Sequence, residues 1–117
     1  MKLNQIGVLQ DKDLLEFGQV TQIPAGDYNL RGFIVNNTTG KAYNIVLKMD
    51  TPKLVPETNF SVFCSCDDFK FRWAWVLNEH DSLLAPQTFI LTPPKKTNSA
   101  HKLDVCKHIK VFLKKIV

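Results

Sequence analysis

A chain of 117 residues carries one domain's worth of core, because a second independent core needs roughly another 100 residues. With 44% hydrophobic and 22% charged residues and a mean hydropathy of −0.11, the composition excludes a disordered or fibrous segment, and no run reaches the roughly 18 to 20 apolar residues of a membrane span. The net charge of +4 is uneven: residues 1–91 carry eight Lys/Arg against ten Asp/Glu, whereas residues 92–117 carry seven lysines against Asp104 alone.

The first residues, Met1 to Asp11, lack the charged and apolar regions of a secretion leader, so the expected location is the cytoplasm. Leu3, Ile6, Val8 and Leu9 suggest a short strand, and Asp11 to Phe17 a helical turn or loop. From Tyr28 to Met49, Leu30, Phe33, Ile34 and Val35 are followed across the turn-rich stretch 36–41 by Ala42, Tyr43, Ile45, Val46 and Leu47. Two β-branched and aromatic runs joined by such a turn predict a β-hairpin, with Gly40-Lys41 and the Asn-x-Thr sequences at Asn36 and Asn37 in its turn. Pro52 and Pro56 mark a connector, and Phe60 to Cys64 reads as another strand.

The alternation from Asp68 to Val76 predicts a strand with Phe69, Phe71, Trp73 and Trp75 on one wholly aromatic face. Glu79 to Asp81 reads as a polar turn, Thr88 to Leu91 as a further short strand, and Thr92 to His101 as a loop without periodicity. Val105, Ile109, Phe112, Leu113 and Ile116 fall at i, i+4, i+7, i+8 and i+11, which predicts a closing amphipathic helix. Lys107, Lys110, Lys114 and Lys115 take its other side, with Val111 the one apolar residue among them.

Chemistry is concentrated in two short spacings. Cys64 and Cys66 are one residue apart, Cys106 and His108 are one residue apart, and no other cysteine exists in the chain. An odd cysteine number without a secretion leader points to reduced thiols. Three sulfurs and an imidazole are the number and type of ligand that close a tetrahedral zinc site. In a regular strand i and i+2 share a face but lie roughly 6 to 7 Å apart, so the chain must turn between Cys64 and Cys66. In a regular helix i and i+2 point about 200° apart, so Cys106 must sit at or just before the helix start, with Asp104 a candidate N-cap.

A Cys-x-Cys followed by a Cys-x-His that opens an amphipathic helix resembles the SWIM type of zinc finger, over about Phe60 to Val117. The 39 residues between Cys66 and Cys106 make a longer gap than a compact finger has. Phe63 to Trp75 and Val105 to Leu113 also look similar to small zinc-binding proteins of tailed bacteriophages. The resemblance implies a zinc-stapled ββα module that contacts DNA or protein and performs no chemistry at the metal. A finger's zinc contributes roughly 10 to 16 kcal/mol, enough to decide whether this half folds.

Other constellations are weaker. Glu79, His80 and Asp81 point in different directions from one turn and do not make an acid–base site. His101 is a substitute ligand for His108 only if its loop folds back. The aromatic set flanked by Lys70 and Arg72 could stack bases, but such a face more often forms the core under a helix. Lys95, Lys96, Lys102, Lys107, Lys110 and Lys114 are the candidate contact to nucleic acid or an acidic partner.

The expectation is therefore an α+β single domain, 1–117: an N-terminal hairpin region, 1–58, and a zinc-binding region, 59–117. The hairpin and the aromatic strand form a small antiparallel sheet, which the C-terminal helix covers. Four protein ligands leave zinc no open position, so no enzyme is expected and no small-molecule substrate. The expected role is a binding module docking on a larger protein through its N-terminal half, as a phage structural or virion assembly component in the host cytoplasm. The alternative is DNA or RNA binding through the lysine-rich helix and loop.

Overall fold

A computed structural model describes residues 1–17, 19–24, 28–84, 89, 91, 93, 94, 98 and 100–116. The elements are a 3-10 turn at Leu3–Gln5, then α1 (Asp11–Glu16), β1 (Gln19–Pro24), β2 (Asn29–Val35), β3 (Ala42–Met49) and β4 (Phe60–Cys64). A π-helical stretch, Phe69–Trp73, then runs into α2 (Ala74–Glu79), and α3 (Lys107–Ile116) closes the chain. Among the described residues the sheet has four antiparallel strands in the order β1-β2-β3-β4. The expected α+β class, hairpin, Phe60–Cys64 strand and closing helix are all present. Because β3 pairs with β4, the sheet spans the expected boundary between 1–58 and 59–117.

The hairpin forms where alternation and turn chemistry agree. Leu30, Ile34, Ile45, Leu47 and Met49 turn inward while Arg31, Asn44 and Lys48 stay exposed. Asn36 Oδ1 accepts the N–H groups of Thr38 at 2.8 Å and Thr39 at 3.0 Å. Its carbonyl takes the Gly40 N–H at 2.9 Å. This is the local side-chain to backbone bonding that makes Asn a turn residue. Asn36 Nδ2 also reaches Glu16 Oε1 at 2.8 Å, which ties α1 to the turn.

Helix α3 covers the inner face of the sheet, with Ile109, Val111, Phe112 and Leu113 buried. Its entry point is Gly32: a Cβ there would lie 2.5 Å from Phe112 Cε2 and press on the Thr21 carbonyl. Val111, expected on the lysine side, is fully buried, so the helix is enclosed on more than its periodic stripe. The N-terminal segment runs alongside it, with Leu3, Ile6 and Leu9 packed against the core.

Two expected strands are not strands. Leu3 to Leu9 is a 3-10 turn at Leu3–Gln5 followed by irregular chain, and the ladder contact beside it is a single bridge from the preceding Lys2 to Asn59. Asp68 to Val76, expected as an aromatic strand, is helical. The Arg72 side chain reaches back one turn to Asp68 Oδ1 at 2.9 Å, and Trp73 Nε1 donates to Asp68 Oδ2 at 3.1 Å. The supposed single face is dispersed: Phe69 is fully buried, Phe71 is 48% exposed, and Trp73 and Trp75 are half-buried. The residues that helix buries are Phe69, Ala74, Val76 and Leu77, so a π turn of one extra residue separates Phe69 from Ala74.

Half of the strand expected at Thr88 to Leu91 (88 and 90) and half of the Thr92 to His101 loop (92, 95–97 and 99) lie outside the described residues. Phe89 is placed, its ring edge-on to Phe63 at 5.6 Å. Asn98 is buried and anchors the end of that loop: its Nδ2 donates to the carbonyls of Arg72 at 3.1 Å and Lys102 at 2.9 Å.

Candidate metal centre

Cys64 is the last residue of β4 and faces inward, in the cross-strand row Gln22, Gly32, Ile45, Cys64. The turn that brings Cys66 back begins at once. Ser65 is clamped to β3, its N–H donating to the Asn44 carbonyl at 3.0 Å and its Oγ accepting the Asn44 N–H at 2.9 Å. Cys66 Sγ then accepts the Phe69 N–H at 3.2 Å, and the Cys66 carbonyl accepts the Lys70 N–H at 3.3 Å. The second cysteine thus caps the helical stretch that follows, and the same bonds aim its sulfur inward.

On the other side Cys106 immediately precedes α3, and its carbonyl accepts the Lys110 N–H at 3.2 Å as the helix's first bond. His108 lies in the first turn, so the two ligands straddle the helix start as the angular argument requires. Ligand atoms of Cys64, Cys66, Cys106 and His108 all lie within 4.8 Å of one another, and all four residues are buried. Bonds of about 2.3 Å to a tetrahedral ion set sulfurs about 3.8 Å apart, so the four groups stand where a metal ion fits.

The walls of the site are aromatic. Tyr43 from β3 stacks on the His108 ring at 4.1 Å between centroids and 30° between planes, and Phe17 meets it edge-on at 4.7 Å. His108 Nδ1 is buried with no hydrogen-bond partner. An unpaired buried polar atom costs about 1–3 kcal/mol, and coordination to a metal is a way to satisfy it.

The thiols share their protons unequally. Cys66 is held well below the ordinary thiol range, because Cys106 and then Cys64 donate hydrogen bonds to its thiolate against the opposing effect of burial. The hydrogen bond with Cys106 pulls Cys64 down, but its bond to Cys66 and its burial outweigh that and push it up to about 12. Burial, then the bonds to Cys64 and Cys66, raise Cys106 well above the ordinary range. In the absence of metal these bonds favour the thiolate at Cys66 over Cys64 and Cys106. A divalent ion would replace both bridging protons.

The other expected site residues fall outside this group. His101 is exposed, with φ of 51° and Nδ1 4.0 Å from Glu79 Oε1, so its loop does not fold back to the cluster. His80 is exposed and follows α2. Asp104 is not the N-cap of α3, since Cys106 occupies that position. It is instead a buried clamp, its carboxylate accepting Gly7 N–H at 3.0 Å, Val105 N–H at 2.8 Å and Lys110 Nζ at 3.1 Å.

The lysine set is divided. Lys95 and Lys96 lie outside the described residues. Lys110 is largely buried against Asp104, and Lys107 Nζ stands 3.6 Å from Glu16 Oε2. Lys102 and Lys114 are exposed. Lys107, Lys110 and Arg72 line a hollow of about 400 Å³ with Asp68, Trp73 and Val105, and each of these three cations is paired with a carboxylate. Sequence reasoning did not find Tyr43, Phe17 or Gly7, whose partners are tens of residues away and leave no local signal, nor the clamping role of Asp104, which depends on the distant Gly7 as well as on nearby Val105 and Lys110.

Protein-family models, curated proteins and solved structures were searched, and none matches the chain. Among the described residues no helix is long and apolar enough to cross a membrane.

Proposed function

We propose that this chain is a non-enzymatic binding module whose C-terminal half is closed by a structural zinc ion held by Cys64, Cys66, Cys106 and His108. The observation that carries the reading is the convergence of three buried sulfurs and one buried imidazole, from the end of β4 with the turn after it and from the start of α3, within 4.8 Å. Soft thiolates with imidazole in a four-ligand group suit zinc, and a sphere filled by protein leaves no position for substrate or hydrolytic water. The ion supplies a cross-link between the end of the sheet and the start of the last helix. The resemblance of the Cys-x-Cys and Cys-x-His pairs to a SWIM finger supports the same role. So does the likeness to small phage proteins, which makes a virion or assembly component in the host cytoplasm the preferred setting.

Docking on a larger protein is favoured over nucleic-acid binding, because two of the four lysines of α3, Lys107 and Lys110, are paired with Glu16 and Asp104, which reduces the cationic surface the helix offers. Native mass spectrometry of protein purified without chelator tests the metal. One zinc per chain, lost in Cys106→Ser together with cooperative unfolding, is expected. A metal-free, cooperatively folded wild-type chain overturns the reading. Binding to a DNA duplex that weakens steeply with salt and is lost on neutralising Lys102, Lys107 and Lys114 would restore the nucleic-acid alternative.

A further inference from the structure

The core fills one face of the sheet and on the other face covers β4, where Phe63 packs against Phe69 at 5.7 Å and Phe89 at 5.6 Å. On the inner face Leu30, Ile34, Ile45, Leu47, Phe60 and Val62 join the buried cluster. The outer face presents a cross-strand row set by the register: Ile23 opposite Arg31, Arg31 opposite Val46, Val46 opposite Phe63. Phe33 stands in the neighbouring row, between Thr21 and Asn44, and Val35 in the row beyond it. Ile23 is 50% exposed, Arg31 is exposed, and Phe33, Val35 and Val46 are half-buried without joining the core cluster.

The charge on this face has one sign. None of the residues of β1, β2, β3 or β4 is Asp or Glu, while Arg31 stands in the middle of the apolar row and Lys48 in the next row. Asp50, just past the end of β3, has its carboxylate bonded to Asn59. A guanidinium framed by Ile23, Val46 and Phe33 offers a planar fork for a carboxylate, with aliphatic contact on either side.

We infer that the outer face of β1–β3, centred on Arg31, is the docking surface for an acidic, aliphatic segment of a partner protein. This rests on the docking reading above and names the surface and the chemistry of its occupant. Aliphatic residues outnumber the one ring, Phe33, across these rows of β1–β3, which suits side-chain packing better than base stacking. A second copy of the chain is disfavoured, because a two-fold contact centred on Arg31 sets two guanidinium groups against each other.

The test titrates ¹⁵N-labelled, zinc-loaded protein with a synthetic peptide of alternating Leu and Glu, a matched peptide of Leu and Lys, and oligothymidylate. Zinc stoichiometry is measured on every sample. The Leu-Glu peptide should shift amides of Ile23, Arg31, Phe33 and Val46 and bind at least about tenfold more weakly to Arg31→Glu, the loss of a good charge-assisted contact. The Arg31→Glu protein should in turn prefer the Leu-Lys peptide. Equal affinity of wild type and Arg31→Glu for the Leu-Glu peptide, shifts confined to other surfaces, or no saturable binding at low ionic strength overturns the proposal. Tighter oligothymidylate binding on this face overturns it in favour of nucleic acid, and concentration-dependent self-association through it in favour of a second copy. Lack of zinc in the wild type defeats the metal reading and leaves this result to be judged by the shifts alone.

Discussion

Tyr43 lies nearly flat on His108, ring centroids 4.1 Å apart, so a side chain of the central hairpin sets the orientation of a candidate metal ligand 65 positions along the chain. With Phe17 edge-on to the same imidazole, its plane is fixed by packing. Tyr43→Ala is expected to keep all four ligands yet weaken metal affinity about tenfold, as loss of outer-shell support does, while Tyr43→Phe stays near wild type. Competition with a chromophoric chelator measures both.

Proton linkage gives the metal-free and loaded forms opposite responses to alkali. In the metal-free fold Cys64 is pushed up to about 12 from an ordinary 9.0, and Cys106 is raised as well. A raised folded value means stability that is complete below the unfolded thiol's pKa and is lost as pH climbs toward the folded one. The residual structure that chelator-treated protein keeps around the cluster, read by near-ultraviolet circular dichroism, should therefore fall away as pH rises above about 9. Metal-loaded protein holds thiolates, so its affinity falls as pH drops and protons compete. Loading near neutral pH should release about two protons per ion. Calorimetry in two buffers of different ionisation enthalpy counts them; release of none contradicts the thiol assignment.

Gly32→Ala should be among the most damaging single changes. The new methyl would meet Phe112 Cε2 at 2.5 Å and the Thr21 backbone, so α3 or β1 must move. Overpacking of this kind costs roughly 1–3 kcal/mol and more when backbone is the obstacle. Denaturant unfolding should place the loss at about 3 kcal/mol or above. A loss under about 0.5 kcal/mol would show that α3 docks elsewhere.

The clamp made by Asp104 joins Gly7, Val105 and Lys110. Asp104→Ala strands a largely buried ammonium and should cost about 3–5 kcal/mol. The double change Asp104→Ala with Lys110→Met should cost less than the sum of the two single changes, because the unpaired charge is gone. Gly7→Ala, whose methyl collides with Asp104 Oδ2 and comes within 3.1 Å of Lys110 Nζ, should mimic a weaker form of the same defect. Thermal unfolding of wild type, the two single variants and the double variant closes the cycle, with Gly7→Ala measured beside it.

What could be read in the sequence was whatever short stretches of chain determine for themselves. The 28–49 hairpin was legible because β-branched alternation and an Asn-rich turn agree locally. The closing helix was legible because its apolar positions repeat at 3.6. The ligand set followed from two one-residue spacings that use every cysteine, and simple angles required Cys66 to turn back and Cys106 to precede the helix. Tertiary structure decided the rest. Phe69 to Trp75 alternate as a strand would, yet the cap from Cys66 Sγ, the Asp68–Arg72 pair and the need to bury Ala74 and Leu77 make them helical. Which lysines remain free depended on Asp104 and Glu16, and the face of the imidazole on Tyr43 and Phe17. Glu16, Tyr43 and Phe17 are distant in sequence from α3, and only the folded sheet brings them within reach, so no local pattern encodes them.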